Sequence, residues 1–131
     1  MNNIDRITRG GAAIPAPAAR PTIVCLSHLR WDFVYQRPQH LLTRAARHHR
    51  VVYVEEPKLD AETAFMEVRK HPSGVTIAIP HVSPSSSASV LRELFDTLLR
   101  SEATDQVVLW YYTPMALQFT RHLRPAVTVY D

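Results

Sequence analysis

Short, continuous apolar runs recur along the chain from residue 22 onward, and polar or proline-containing segments separate them. Runs of this kind predict strands that are buried on both faces, as in a parallel sheet. They occupy residues 23–26, 51–54, 107–112 and 126–130. Between the first two, Pro38 favours a helix start, since proline is tolerated at the first helical position. We predict a helix from Pro38 to about His49. Its apolar stripe consists of Leu41, Leu42, Ala45 and Ala46.

The remaining segments extend this strand–helix–strand unit. Residues 65–68 and 75–79 flank a Pro-Ser-Gly turn signal at residues 72–74, which predicts a hairpin or a strand pair at the sheet edge. Serines at positions 85–87 and 89 favour a helix cap before a second apolar stripe over residues 90–99. Pro114 predicts a short helix to about His122. Because a strand–helix–strand unit makes its strands parallel, the pattern predicts an α/β, Rossmann-like, mostly parallel sheet with flanking helices.

The domain organisation follows from the same pattern and from the length of 131 residues, which suits one domain. Residues 1–21, rich in alanine and proline near their end, have no repeating apolar face, so we expect a disordered leader. Residues 22–131 are expected to form one Rossmann-like domain. A parallel sheet needs a covering helix after each strand, and the chain ends on a predicted strand, so we expect this domain to be incomplete at its C-terminus.

Composition narrows the range of functions. The only three glycines, Gly10, Gly11 and Gly74, exclude the glycine-rich loops that hold a dinucleotide or a triphosphate. The single cysteine, Cys25, and the spacing of the histidines argue against a metal site. The net charge of +3 comes from basic residues scattered among acidic ones, so we expect no nucleic-acid partner. Without a signal peptide or an apolar span in the sequence, we expect a cytoplasmic location.

Candidate chemistry lies in the loops that follow the predicted parallel strands, because ligands bind at that edge of such sheets. These loops are residues 28–37, 55–57, 112–114 and 130–131. The first combines aromatic rings with amide, guanidinium and imidazole groups, which suits a carbohydrate. Arg37, just before a helix, favours an anion such as a phosphate or a uronate. We therefore expect a pocket in which Trp31, Arg37 and His40 meet a sugar.

Packing offers an alternative for each of these residues. Trp31 and its aromatic neighbours Phe33 and Tyr35 could plug one end of the sheet. Arg37 could pair with Asp32, Glu55 or Glu56. His40 could be an exposed residue in the first helical turn, and Asp131 could be a frayed terminus.

The segment W-D-F-V-Y-Q-R-P-Q-H-L at residues 31–41 resembles the start of bacterial GT-B-fold glycosyltransferases, in particular the teichuronic-acid-biosynthesis type of family-one-like enzyme. Residues 52–57, 110–115 and 129–131 follow in the order and spacing of that family. The resemblance spans residues 22–131. It implies the acceptor-side part of a two-domain enzyme that moves a sugar from a nucleotide-sugar donor to a glycolipid or cell-envelope glycan.

The resemblance also implies a set of acceptor-side residues, with the catalytic residue unassigned. They are Trp31, Asp32, Gln36, Arg37, Gln39, His40, Tyr112, Thr113 and Asp131. We expect no cofactor or metal in this chain, and the resemblance implies a nucleotide-sugar donor for the full-length enzyme and a C-terminal donor-binding domain as partner. With a lipid acceptor, we expect contact with the inner membrane face. We do not expect the isolated chain to catalyse sugar transfer by itself.

Two other interpretations stay open at this stage. The chain could be a stand-alone, non-enzymatic Rossmann-like module that binds a ligand or a partner, or it could be an inactive truncated product.

Overall fold

A computed structural model describes residues 20–32, 37–103 and 106–131. The predicted leader lies almost wholly outside these residues. In chain order the elements are β1 Thr22–Leu26, α1 Arg37–Ala45, β2 Val51–Val54, β3 Phe65–Lys70, β4 Thr76–His81, α2 Ala88–Glu102, β5 Val107–Tyr111, a 3-10 turn Pro114–Ala116, α3 Leu117–Thr120 and β6 Val127–Tyr130. No helix in the described residues is long and apolar enough to cross a bilayer.

The described strands form one sheet in the order β3-β4-β2-β1-β5-β6. All neighbouring pairs are parallel except β3 and β4, which form the predicted antiparallel hairpin at one edge. Gly74 turns this hairpin with a φ of 97°, and its amide donates to the His71 carbonyl at 2.9 Å. That conformation is open to glycine and costly for other residues. The α/β Rossmann-like class predicted from the sequence is confirmed.

Helices cover both faces of the sheet, as a parallel sheet requires. Leu42 of α1 packs on one face against Cys25 and Tyr53. Phe95 of α2 and Phe119 of α3 pack on the other, where strand residues such as Leu26 and Val54 point. We call these the α1 face and the α2/α3 face. The central strands β1 and β2 are buried throughout, whereas the edge strand β6 is mostly exposed.

One helix boundary differs from the prediction. The helix predicted to reach His49 ends at Ala45, because the amides of Arg47 and His48 bond to carbonyls three residues back, at 3.2 and 3.0 Å, and tighten the last turn. Ser87 stands at the N-cap position of α2 as expected. Its hydroxyl makes no capping bond, because it lies 2.7 Å from the hydroxyl of Ser89 instead.

His81, at the end of β4, lies between two carboxylates. Its Nδ1 is 2.8 Å from Asp60 Oδ1 and its Nε2 is 2.8 Å from Glu67 Oε1. Both ring nitrogens can donate only when the imidazole is protonated. The hydrogen bond with Asp60, followed by that with Glu67, raises the pKa of His81 above its ordinary value, against an opposing effect of burial. Arg69 also contacts Glu67, with Nε 3.3 Å from Oε2.

This geometry predicts a loss of stability as the pH rises above about 6.5. The contribution of protonated His81 is complete below about pH 6.5, the ordinary pKa of an unfolded-chain histidine, and declines as the pH rises through the higher pKa of the folded state. The double variant D60N/E67Q keeps the side-chain shapes and removes both carboxylates. Urea unfolding across this range should show a smaller decline for the variant than for the parent chain. Equal declines would show that the two carboxylates do not hold the proton.

Candidate functional site

The direction in which successive strands are added to the sheet reverses beside β1. From β1 the chain builds β2 and β4 on one side and then returns to add β5 on the other. In open parallel sheets the carboxyl ends of the strands at such a switch point form the crevice that binds ligands. A cavity of about 310 Å³ lies at this place and opens on the α2/α3 face. Its lining residues are Leu26, Ser27, His28, Val54, Glu55, Glu56, Pro57, Leu59, Leu91, Thr113, Met115, Ala116, Gln118 and Phe119.

Hydrogen bonds hold the loop that follows β1. The Ser27 hydroxyl accepts from the Leu29 amide at 3.0 Å, and the Tyr53 hydroxyl donates to the Leu29 carbonyl at 2.9 Å. Burial raises the pKa of Tyr53 to about 12, so its hydroxyl remains a donor at neutral pH. His28, between these two anchored positions, is exposed at the cavity rim. The loop therefore presents the imidazole of His28 from a fixed backbone.

Glu55, directly after β2, is the second anchor of this loop. Its side chain is only 2% exposed, and a buried carboxylate needs charged or N–H partners. Oε2 accepts from the Trp31 amide at 2.9 Å, and Oε1 accepts from the Arg30 guanidinium at 3.2 Å. Arg30 also donates to the Glu56 carbonyl. These contacts join the carboxyl ends of β1 and β2.

Two further segments complete the cavity wall. Lys58 bridges to β4, with its amide 2.8 Å from the Pro80 carbonyl and its carbonyl 2.9 Å from the Val82 amide, which fixes the adjacent Leu59. After β5, the Thr113 hydroxyl accepts from the Met115 amide at 3.3 Å and caps the short turn. Leu59 and Met115 line the cavity from these positions.

Trp31 and Gln39, both predicted to bind a ligand, lie in the core. Trp31 is 3% exposed, and its ring meets Tyr53 and His71 edge-on, with centroids 5.1 and 5.4 Å apart. Gln39 is fully buried and donates to the Trp31 carbonyl at 3.2 Å. Packing in the core, the alternative drawn from the sequence, thus describes Trp31 in this structure.

Other predicted residues gather away from the cavity. Arg37, exposed at the start of α1, lies 3.7 Å from a carboxylate oxygen of Asp131, which follows β6. Tyr112 packs against the α1-face core. Burial, followed by the nearby Asp131 carboxylate, raises the pKa of the Tyr112 phenol well above its ordinary value. This cluster is at the carboxyl edge of the sheet but on the α1 side of it.

The last predicted residues occupy separate positions. Asp32 pairs with Arg69 of β3 at 3.1 Å, and His40 is exposed on α1. Gln36 lies outside the described residues. Among the predicted site residues that the structure describes, Thr113 alone lines the cavity.

Trp31, Arg37 and His40 were expected to share a single pocket. In the part of the chain that the structure describes, they do not. Trp31 is enclosed in the core, whereas Arg37 and His40 are exposed and absent from the cavity lining. Direct contact of Arg37 or His40 with a ligand stays a prediction.

Several cavity residues were missed individually although their loops were selected. His28, Glu55 and Glu56 lie at the beginnings of loops that the carboxyl-edge rule points to. The available signal was their position within two residues of the end of a strand, whereas the prediction favoured the varied side chains farther along the first loop. Among the described residues no group of three or more His, Cys, Asp and Glu side chains could hold a metal ion.

No family model matches the chain, and no curated protein matches it either. A solved structure described as "Trehalose-6-phosphate from E. coli bound with UDP-2-fluoro glucose" is similar, with a TM-score of 0.52 and 11% sequence identity over 81% of this chain and 32% of that one. This likeness establishes the fold. It is an α/β Rossmann-like fold, and the chain spans about a third of the length of that structure.

The anchoring role of Glu55 can be tested by truncation. The variant E55A leaves the buried Trp31 amide without its acceptor and removes the partner of Arg30, so we expect a loss of about 2 kcal/mol in the free energy of unfolding. The adjacent E56A is a matched control. It removes an exposed carboxylate, keeps the carbonyl that Arg30 contacts, and should cost less than about 0.5 kcal/mol. Denaturant unfolding measures both, and equal losses in the two variants would contradict the anchoring role.

Proposed function

We propose that this chain is the acceptor-binding part of a glycosyltransferase, which moves a sugar from a nucleotide-sugar donor to a hydroxyl-bearing acceptor held in the cavity beside β1. The observation that carries the proposal is the cavity at the switch point of a Rossmann-like sheet, lined by the segments after β1, β2 and β5. The donor would be bound by a second domain, which acts together with this one.

The similar solved structure supports the proposed reaction class. That structure is bound with UDP-2-fluoro glucose, a nucleotide sugar, and this chain shares the fold of about a third of it. The glycine-poor loop after β1 also agrees with a division of labour between domains. Close approach of backbone to a pyrophosphate generally requires glycine, and residues 27–32 contain none. Side chains, not backbone amides, are therefore the main contacts that this loop offers.

The chemistry at the rim suits an acceptor hydroxyl. His28 is exposed at the cavity mouth on an anchored loop, and an imidazole nitrogen can donate a hydrogen bond to a hydroxyl or accept one from it. Transfer would then rest on positioning of the hydroxyl against the donor's anomeric carbon and on stabilisation of the departing diphosphate by the second domain.

The finer parts of the proposal rest on the sequence resemblance. They are membership of the teichuronic-acid-biosynthesis type, a role in forming a cell-envelope glycan, and a cytoplasmic location with contact to the inner membrane face. The cluster of Arg37, Tyr112 and Asp131 would then lie at the edge of the cleft between the two domains.

A transfer assay tests the proposal. The complete coding region that contains these residues, expressed and assayed against a panel of nucleotide sugars, should transfer sugar or hydrolyse the donor. Replacement of His28 by alanine in that protein should lower transfer about tenfold or more, because the rim imidazole is lost. H48A serves as the control, since His48 is exposed beyond the far end of α1.

The outcomes separate the proposal from its rival. No transfer and no donor hydrolysis with any nucleotide sugar would contradict the enzyme and favour a non-enzymatic binding module. Equal activity of H28A and H48A would leave the reaction class standing and remove His28 from the site.

A further inference from the structure

The floor of the cavity is apolar. Leu26, Val54 and Phe119 are buried within it, and Ala116 leaves room beside them. The two polar residues at this depth, Ser27 and Glu55, already have hydrogen-bond partners within the protein. Ser27 accepts from Leu29, and Glu55 accepts from Trp31 and Arg30. A group that enters the floor therefore meets hydrocarbon, and a hydroxyl-rich sugar ring would lose its hydrogen bonds to water there.

Two apolar side chains extend this floor to the rim. Leu59 is 62% exposed and Met115 is 65% exposed. Backbone hydrogen bonds fix the segments that carry these side chains. The Lys58 amide donates to the Pro80 carbonyl at 2.8 Å, and the Met115 amide donates to the Thr113 hydroxyl at 3.3 Å. The Asp60 carboxylate adds a further tie, 2.8 Å from His81. Large apolar side chains held out to solvent around a cavity indicate a surface that a ligand covers.

The charges around the cavity disfavour an anion. Every lining residue belongs to the described part of the chain, and none of them is Lys or Arg. Glu55 and Glu56 supply the only carboxylates of the lining, and Glu56 is exposed at the rim. A phosphate or uronate in this cavity would face Glu56, and the Arg30 guanidinium beside it is already engaged by the Glu55 carboxylate and the Glu56 carbonyl. This differs from the position of Arg37, whose guanidinium is near Asp131 on the other side of the sheet edge.

We infer that the acceptor of the proposed transfer is an uncharged molecule with an apolar aglycone, which fills the floor while its hydroxyl-bearing head lies at the rim near His28, Thr113 and Gln118. This inference rests on the proposed function and specifies its substrate class. The volume of about 310 Å³ is at the lower end of the range of about 300–1,000 Å³ for small-molecule pockets. It suits a short alkyl or aryl group and not a whole oligosaccharide.

Binding of simple amphiphiles to the 131-residue chain tests the inference. The probes are n-octyl β-D-glucoside, n-octyl phosphate and glucose 6-phosphate, each titrated below its micelle concentration where it has one. Calorimetry should show octyl glucoside binding most tightly. Octyl phosphate, with the same tail and an anionic head, should bind more weakly. Glucose 6-phosphate, which lacks the tail, should not bind measurably.

Matched variants locate the binding. L59E and M115E place a carboxylate on the apolar rim and should each weaken octyl glucoside binding about tenfold. V68E makes the same charge change at a side chain that is 42% exposed on β3 and outside the cavity lining, so it should bind like the parent chain. All three positions are exposed, and circular dichroism checks that each variant is folded.

Two results would overturn the inference. One is tighter binding of either phosphate than of octyl glucoside, and the other is equal binding by L59E, M115E and V68E. Neither measurement needs a donor. If the protein binds octyl glucoside as expected but transfers no sugar, the proposed function alone is contradicted. If it transfers sugar to anionic glycans and does not bind octyl glucoside, the substrate class alone is contradicted.

Discussion

The buried carboxylate of Glu55 determines how the carboxyl ends of the central strands are joined. A charge that is 2% exposed requires partners, and it finds them in the Trp31 amide and the Arg30 guanidinium, both from the loop after β1. That loop must therefore fold back over the end of β2. Gln39 then bonds to the Trp31 carbonyl, which ties the first turn of α1 to the same loop. The rim position of His28 and the closed floor beneath it both depend on this arrangement.

Alternation along the strands divides the chemistry of this edge between two faces. Successive side chains of an extended segment point to opposite sides of the sheet. Tyr112 consequently packs on the α1 face, whereas the next residue, Thr113, lines the cavity on the α2/α3 face. Arg37 lies on the same side of the sheet as Tyr112, because Arg37 is the first residue of α1. The polar, anion-compatible cluster and the apolar cavity are thus near each other in sequence and separated by the sheet.

The elements could be predicted from the sequence to within a few residues because their signals are local. The apolar run of β1, the proline before α1 and the Gly74 turn each act on their own neighbours. For the site, the sequence could predict which loops contribute to it but not which residues of those loops line it. Which face a loop residue takes depends on long-range contacts, such as the enclosure of Trp31 by Tyr53 and His71. Aromatic and amide side chains suit a sugar pocket and a packed core equally well, so Trp31 and Gln39 carried no signal that separates these roles.

The fold and the cavity lining answer different questions about function. A likeness at 11% identity establishes the fold, but it carries over none of the side chains that choose a ligand. In this chain those side chains are apolar on the floor and acidic or uncharged at the rim. An acidic rim repels the phosphates that a nucleotide sugar brings, so under the proposed function the donor would compete poorly with the acceptor for this cavity. In the proposed transferase, a cavity of this chemistry would favour an uncharged acceptor, and the nucleotide sugar would be left to the second domain.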